Sequence, residues 1–254
     1  MKVLILNASP KSKGSASALC LSMLRPFLAG CEIKTCLLRG PRDDENVLAL
    51  LPWAEAVVIA APLYVDAAPA HVAAFLEKAE PFCRKNGLSF RLYAVSNGGF
   101  IEGHQNELHL RIYEAWCRRA GIPWCGGLGI GGGAILRWMW LMTVVFAVLG
   151  TVRLAMTAPA ASPTAQIFLA CYSSMLVTFA LTLGALVSLA GLGWRIKRRE
   201  QHKNVFTRCL MPSFLFIPVS DLFMLIAALT YKNLPHRLFR RQDRGLPREE
   251  ESNR

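Results

Sequence analysis

Between residues 9 and 17 the chain reads Ser9-Pro10-Lys11-Ser12-Lys13-Gly14-Ser15-Ala16-Ser17, with hydroxyl and ammonium groups crowded around one glycine. Such a set suits the binding of an oxyanion. The hydroxyls donate hydrogen bonds, Gly14 lets the backbone come close, and a helix beginning here would add roughly half a positive charge from its aligned peptide dipoles. Lys11 and Lys13 add full charges, so a phosphate group is the natural guest. The spacing matches neither a Walker A loop, which needs Gly-Lys-Ser/Thr, nor the G-x-G-x-x-G dinucleotide loop. The same residues also suit an ordinary turn closed by Ser15 as an N-cap.

Two further stretches carry chemistry. Pro62-Leu63-Tyr64 opens a loop that runs to Pro69, and the Tyr64 ring can stack on or border a flat ligand or simply half-bury itself in the loop. Asn97-Gly98-Gly99 opens a second loop, whose Glu102 and His104 can hydrogen-bond a substrate or relay a proton, or serve as a solvated loop residue and a helix cap. No nucleophile or triad is evident. His104 and His109 stand five apart, whereas a zinc pair on a helix stands four apart, and the eight cysteines include no C-x-x-C pair. Neither a metal site nor a disulfide framework is therefore expected.

These loops need elements to hold them. Lys2 to Leu6 is a short buried strand leading into the first loop, and an apolar helical pattern from Ala18 follows until Pro26 kinks or ends it. Cys31 to Leu38 alternates as an edge strand does, Arg39 to Asp44 is a turn, and a short helix is predicted over Glu45 to Leu51. Ala56 to Ala60 is continuously apolar, as in the middle of a parallel sheet. A helix over Ala70 to Lys85, a strand over Arg91 to Ser96, a helix over Gln105 to Ala120 and a fifth strand over Trp124 to Ile130 complete the alternation. The class is α/β, with a five-stranded parallel sheet and right-handed crossovers. In the order 2-1-3-4-5, the carboxyl ends of strands one, three and four adjoin at the switch point, where one ligand reaches all three loops.

With those motifs in place, the first 133 residues resemble the flavodoxin-like NAD(P)H-dependent FMN reductases. Asn7-Ala8-Ser9-Pro10-Lys11 with Gly14-Ser15 is similar to their N-G-S-P-R...G-N-T loop, and Pro62-Leu63-Tyr64 to their P-x-Y flavin loop. The Asn97 to Gln105 stretch is similar to the G-F-P-E-x-H-Q segment of a bacterial branch. The resemblance implies a flavodoxin-like sheet and FMN as cofactor, with Ser9, Lys11, Ser15 and Ser17 at its phosphate. It implies Pro62, Leu63 and Tyr64 along one side of the isoalloxazine and Asn97, Gly98 and Gly99 at its pyrimidine edge. Two positions depart from the pattern: Ala16 stands where Thr is frequent, and Lys11 lacks the guanidinium fork of the usual Arg. The cysteine cluster of the iron-sulfur relatives is missing, so no such centre is expected.

Past Gly133 the composition changes. A net charge of +12 coexists with a positive mean hydropathy because blocks of Arg and Lys alternate with long apolar runs. The blocks at Arg195 to Arg199 and Arg237 to Arg248 each border an apolar segment, which fits anionic headgroups better than a nucleic acid groove. Trp138 to Val152, flanked by Arg137 and Arg153, is either a thin membrane span or a greasy fifth helix. Ala165 to Trp194 has no charged residue and is long enough to cross a bilayer with tilt. Arg195 to Lys203 would mark its cytoplasmic end and Thr157 to Gln166 an external loop, giving an out-and-back hairpin. Val205 to Tyr231, interrupted by Pro212, Pro218 and Asp221, reads as interfacial or re-entrant, with Asp221 near headgroups or capping a helix after Ser220.

The expected organisation is a flavodoxin-like FMN-binding domain over 1–133, an apolar membrane-associated helical region over 134–235, and a basic, disordered tail over 236–254. No signal peptide is read at the N-terminus, so a cell-membrane location with a cytoplasmic N-terminal domain is expected. The expected activity is hydride transfer from NAD(P)H through FMN to a quinone or other small acceptor. Expected partners are the lipid membrane and that acceptor, with pairing as a homodimer common among the resembled proteins and no nucleic acid. A flavin-binding carrier or sensor without turnover, and a membrane interaction protein with a degenerate flavodoxin-like half, are the alternatives.

Overall fold

The computed structural model of the chain describes residues 1–11, 13–157 and 164–230. Six parallel strands form one sheet: β1 (Lys2–Asn7), β2 (Glu32–Leu37), β3 (Ala56–Pro62), β4 (Arg91–Asn97), β5 (Trp124–Ile130) and β6 (Val205–Thr207), in the order β2-β1-β3-β4-β5-β6. The first five reproduce the expected 2-1-3-4-5 order, which is that of the flavodoxin-like fold. The sixth strand corrects the expected count. Val205 to Thr207 pairs with Leu128 to Ile130 and so belongs to the sheet edge, not to an interfacial segment. A strand of this length carries no readable period, and only its pairing with β5 defines it.

Between the strands lie α1 (Ala16–Leu24), α2 (Pro41–Leu50), α3 (Ala70–Lys85), α4 (Glu107–Ala120), α5 (Gly133–Thr157) and α6 (Thr164–Arg198). Pro26 ends α1 in a 3₁₀ turn over Arg25–Leu28, and Pro41 opens α2 earlier than the expected Glu45 because its fixed φ suits a first helical turn. Strand alternation divides the core. Leu4 and Leu6 face one apolar cluster with Phe75, Leu110 and Trp116 from α3 and α4, while Val3 and Ile5 face a second with Leu24 of α1.

That second cluster is completed from beyond the expected boundary at Gly133. Leu136 of α5 and Leu189, Leu192 and Ile196 of α6 are buried in it, each contributing about 1.5–3 kcal/mol if taken fully from water. The compact unit therefore runs from Met1 to Met211. Within the Ala165 to Trp194 stretch, one face of the part from Ala185 onward is core, since Ala185, Leu189 and Leu192 are buried and Gly193 lies against Phe27, while Val187 and Trp194 are exposed. The following basic block is likewise tied to the sheet, where Arg199 pairs with Glu55 just before β3.

The remainder of α5 and α6 is different in kind. The helices pack on each other and are joined by only six residues, so they run antiparallel. Val148, Val152 and Met156 on α5 and Leu176, Val177 and Leu183 on α6 are exposed. Gly184 is the point at which α6 passes the backbone of Arg208. From Thr164 to Gly184 a helix rises about 30 Å.

A second unit begins at Pro212. Its described part is α7 (Ser213–Thr230), which contains Pro218 and runs through Ser220 and Asp221. Asp221 is thus an exposed residue inside a helix, in place of the cap expected after Ser220. The tail over 236–254 and residues 158–163 of the expected external loop lie outside the described residues.

Candidate functional site

The first loop leaves β1 at Asn7, and its shape comes from short polar side chains folding onto their own backbone. The Ser9 N–H donates to Asn7 Oδ1 at 3.2 Å and the Lys11 N–H to Ser9 Oγ at 3.4 Å. Gly14 adopts φ +60°, a left-handed conformation that a side chain disfavours. Ser15 then caps α1, its Oγ accepting from the Ala18 N–H at 3.1 Å. Lys11 is exposed, whereas Ser9, Ser15 and Ser17 are buried.

The second loop leaves β3 at Pro62 and folds into a tight hairpin. Tyr64 and Ala67 exchange backbone hydrogen bonds at 3.0 and 3.1 Å, and the intervening Val65 and Asp66 both have positive φ, +47° and +59°. This is the type I′ pattern normally given to Asn-Gly. A β-branched residue there is strained by about 1–2 kcal/mol, and Val65 is 98% exposed, so packing does not repay it. Tyr64 is left partly exposed at the root of the turn, with partial burial holding its phenol above the ordinary value.

The third loop leaves β4 at Asn97, and that residue ties the three together. Its amide Nδ2 donates to Ser17 Oγ at 2.8 Å and to the Ala61 carbonyl at 3.2 Å. The Leu63 N–H donates to the Asn97 carbonyl at 2.9 Å, a Leu63 methyl lies beside Gly98, and the Ala8 N–H donates to the Ala60 carbonyl at 2.8 Å. The roots of the three bends expected to share a ligand therefore adjoin at the carboxyl ends of β1, β3 and β4.

The third loop is held from below and from the side. Below it runs a fully buried polar chain that begins at Tyr113 and His109 on α4. His109 Nε2 lies 2.9 Å from Tyr113 Oη, and Nδ1 lies 2.7 Å from Ser96 Oγ, which donates in turn to Asn106 Oδ1 at 2.7 Å. Asn106 Nδ2 donates to the Gly103 and Ile130 carbonyls. Every proton is accounted for if His109 is neutral with its hydrogen on Nδ1, and burial does push its pKa down to about 4. Asn106 touches Gly98, so this chain supports the loop that faces the crevice.

From the side, β6 clamps the same loop. The Cys209 N–H donates to the Ile101 carbonyl at 2.9 Å, Arg208 pairs with Glu102 at 3.1 Å, and the His104 ring meets Phe206 edge-on at 4.7 Å. His104 also pairs with Glu107 at 3.0 Å. Glu102 and His104, read from sequence as able to serve a substrate, thus have partners in and just after β6 and on α4. Ser96, Asn106 and Tyr113 were not singled out by sequence reasoning, and His109 was weighed only as an ill-spaced metal partner of His104. The i, i+4 spacing of His109 and Tyr113 on a helix was the available signal.

The donor set fits a phosphate monoester. Ser9, Ser15 and Ser17 are buried, and their oxygens accept from the Lys11 N–H, the Ala18 N–H and the Asn97 amide, yet each keeps a hydroxyl hydrogen to donate. Lys11 is exposed, and a built Cβ at Gly99 meets nothing, so a planar group can approach that backbone. Through its bond from Asn97, Ser17 also ties the first loop to the third. Among the described residues, no group of His, Cys, Asp and Glu side chains could hold a metal ion.

No protein-family profile and no curated sequence matches the chain. Among solved structures it is similar to an NAD(P)H:quinone oxidoreductase from Methanothermobacter marburgensis, with 14% identity, 80% of this chain and 98% of that one covered, and a TM-score of 0.48. It is similar to an NADPH-quinone reductase from P. pentosaceus, with 15% identity, 67% and 95% covered, and a TM-score of 0.43. It is also similar to a Trp repressor binding protein from Bacillus subtilis, with 11% identity, 50% and 85% covered, and a TM-score of 0.42. The fold assignment rests on strand order.

Proposed function

We propose that the chain is a membrane-tethered FMN oxidoreductase that takes hydride from NAD(P)H and passes the electrons to a quinone or another small acceptor. The observation that carries this reading is the Asn97 side chain, which ties the first loop and the end of β3 to the third loop at the switch point of a parallel sheet. A bound flavin supplies the hydride acceptor itself, so the protein need only bind, orient and tune. Ser9, Ser15 and Lys11 would hold the phosphate, Pro62 to Tyr64 would border the ring, and Asn97 to Gly99 would meet its polar edge through backbone groups. The neutral His109 chain keeps that last loop in place without putting a charge beneath the ring.

The exposed arms of α5 and α6 support the membrane part of the proposal. One helix, over Met175–Arg198, is long and apolar enough to cross a membrane, although its last turns are packed on the sheet. The arm from Thr164 to Gly184 matches the ~30 Å hydrocarbon core of a bilayer. Both arms depart near the crevice, since α5 begins at Gly133, whose N–H donates to the Gly98 carbonyl at 2.7 Å, and α6 reaches the level of Arg208, the partner of Glu102, at Gly184. An acceptor dissolved in lipid would have a short path to the ring. Detergent-purified full chain should show a flavin absorbance that bleaches under anaerobic NADPH and returns when a quinone is added. Protein that stays colourless after incubation with FMN would refute the oxidoreductase reading, and reduction without turnover on quinone would favour a carrier.

A further inference from the structure

Near the start of α5, Arg137 is a cation with no protein partner among the described residues. The Arg137 guanidinium lies directly on Gly14, where an added Cβ would stand 2.6 Å from its Cζ. Among the described residues it makes no hydrogen bond or ion pair. Its neighbours in the first loop, Lys11 and Lys13, are also basic and supply no acceptor. An arginine that merely flanked an apolar helix would gain most by reaching outward into water or headgroups. This one, though exposed, lies along the first loop, over the one residue whose missing side chain makes room for it.

Its position is fixed by the other side of the crevice. α5 starts where the Gly133 N–H donates to the Gly98 carbonyl and the Leu136 N–H to the Gly132 carbonyl, both at 2.7 Å, and Gly132 in turn is bound to the Phe100 carbonyl. Leu136, next to Arg137, is buried in the core. The helix is thus anchored on the third loop while its arginine rests on the first. The fork that Lys11 cannot present is brought in from a different element.

We infer that Arg137 binds the terminal phosphate monoester of the ligand held by this crevice, forming a charge-assisted, two-pronged contact that distinguishes a phosphorylated flavin from an unphosphorylated one. The inference rests on the flavin reading above and assigns its phosphate-specific residue. Gly14 is then required twice, for its left-handed φ and for the space the guanidinium occupies.

The test uses the full-length protein in detergent, with FMN and riboflavin titrated by fluorescence quenching into wild type, Arg137→Ala and Arg137→Lys. Arg137→Ala should weaken FMN about ten- to a hundredfold and leave riboflavin unchanged, with Arg137→Lys between. Equal losses for both flavins, or unchanged FMN affinity, would overturn the inference and make Arg137 a structural residue. Thermal stabilisation by inorganic phosphate is measured in parallel. If wild type binds neither flavin yet phosphate raises its Tm and not that of Arg137→Ala, the flavin reading falls and the anion role of Arg137 stands. If phosphate also has no effect, both fall.

Discussion

Replacing His109 by Gln tests the buried polar chain beneath the third loop. In the folded protein burial lowers the His109 pKa to about 4 from an ordinary value of 6.5, so between those limits the unfolded chain takes up a proton that the folded chain refuses. Stability from this group is therefore complete above pH 6.5 and lost as the pH falls to about 4. The loss is about 3 kcal/mol, from a shift of roughly 2.5 units at 1.36 kcal/mol each. At neutral pH the Gln variant should be weaker by about 1–3 kcal/mol, because Tyr113 and Ser96 are left with poorer partners in a buried site. On acidification the wild type should lose this advantage, so that the two curves converge or cross near pH 4. Carboxylates titrate over the same range in both proteins and cancel in the difference. Urea unfolding of the full chain in detergent, followed by tryptophan fluorescence at pH 7, 5.5 and 4, measures it. Parallel curves for the two proteins, or a folded-state imidazole seen by carbon NMR to titrate near 6.5, would refute the buried neutral chain.

Asn97→Ala should cost about 1–3 kcal/mol in unfolding free energy by leaving the Ser17 hydroxyl and the Ala61 carbonyl without their donor, and it should weaken flavin binding beyond that of any single loop variant. Exchanging Val65-Asp66 for Asn-Gly should raise Tm by roughly 2–8 °C, since it relieves a strained turn without touching the core. Gly103→Ala should destabilise the chain by about 1–3 kcal/mol or more in the same unfolding assay, because its Cβ would stand 2.8 Å from the Thr207 nitrogen and backbone there cannot yield. Leu176→Lys with Val148→Lys should move the protein from the membrane fraction to the soluble one with flavin binding intact. Retention in the membrane fraction would place the tether elsewhere.

The sheet was readable wherever burial wrote itself as a continuous apolar run. Ala56 to Ala60 and Trp124 to Ile130 sit between turn residues, and their strands appear where the pattern put them. α3 matches its expected limits because Pro69 and Gly87 punctuate it. The adjacency of the three loop roots followed from topology alone, since the order of the first five strands decides which carboxyl ends adjoin. What could not be read was tertiary: Ser96 finds His109 only when β4 and α4 pack, and Ser17 is tied to the third loop by Asn97, eighty residues away.

α6 shows why composition could not divide its own sequence. Lipid and protein core are equally apolar, so Ala165 to Trp194 satisfies either demand along its whole length. Spacing carries the distinction that composition lacks. Ala185, Leu189, Leu192 and Ile196 recur at steps of four, three and four, one stripe facing one neighbour. Upstream, Leu176, Val177 and Leu183 are exposed, and among the described residues no such stripe of buried positions continues through them. The same division falls on α5, where Arg137 and Leu136 belong to the crevice and its core while Val148, Val152 and Met156 do not. On the proposed reading one pair of helices serves two environments, and the place where it would change from one to the other lies beside the loops that would hold the nucleotide.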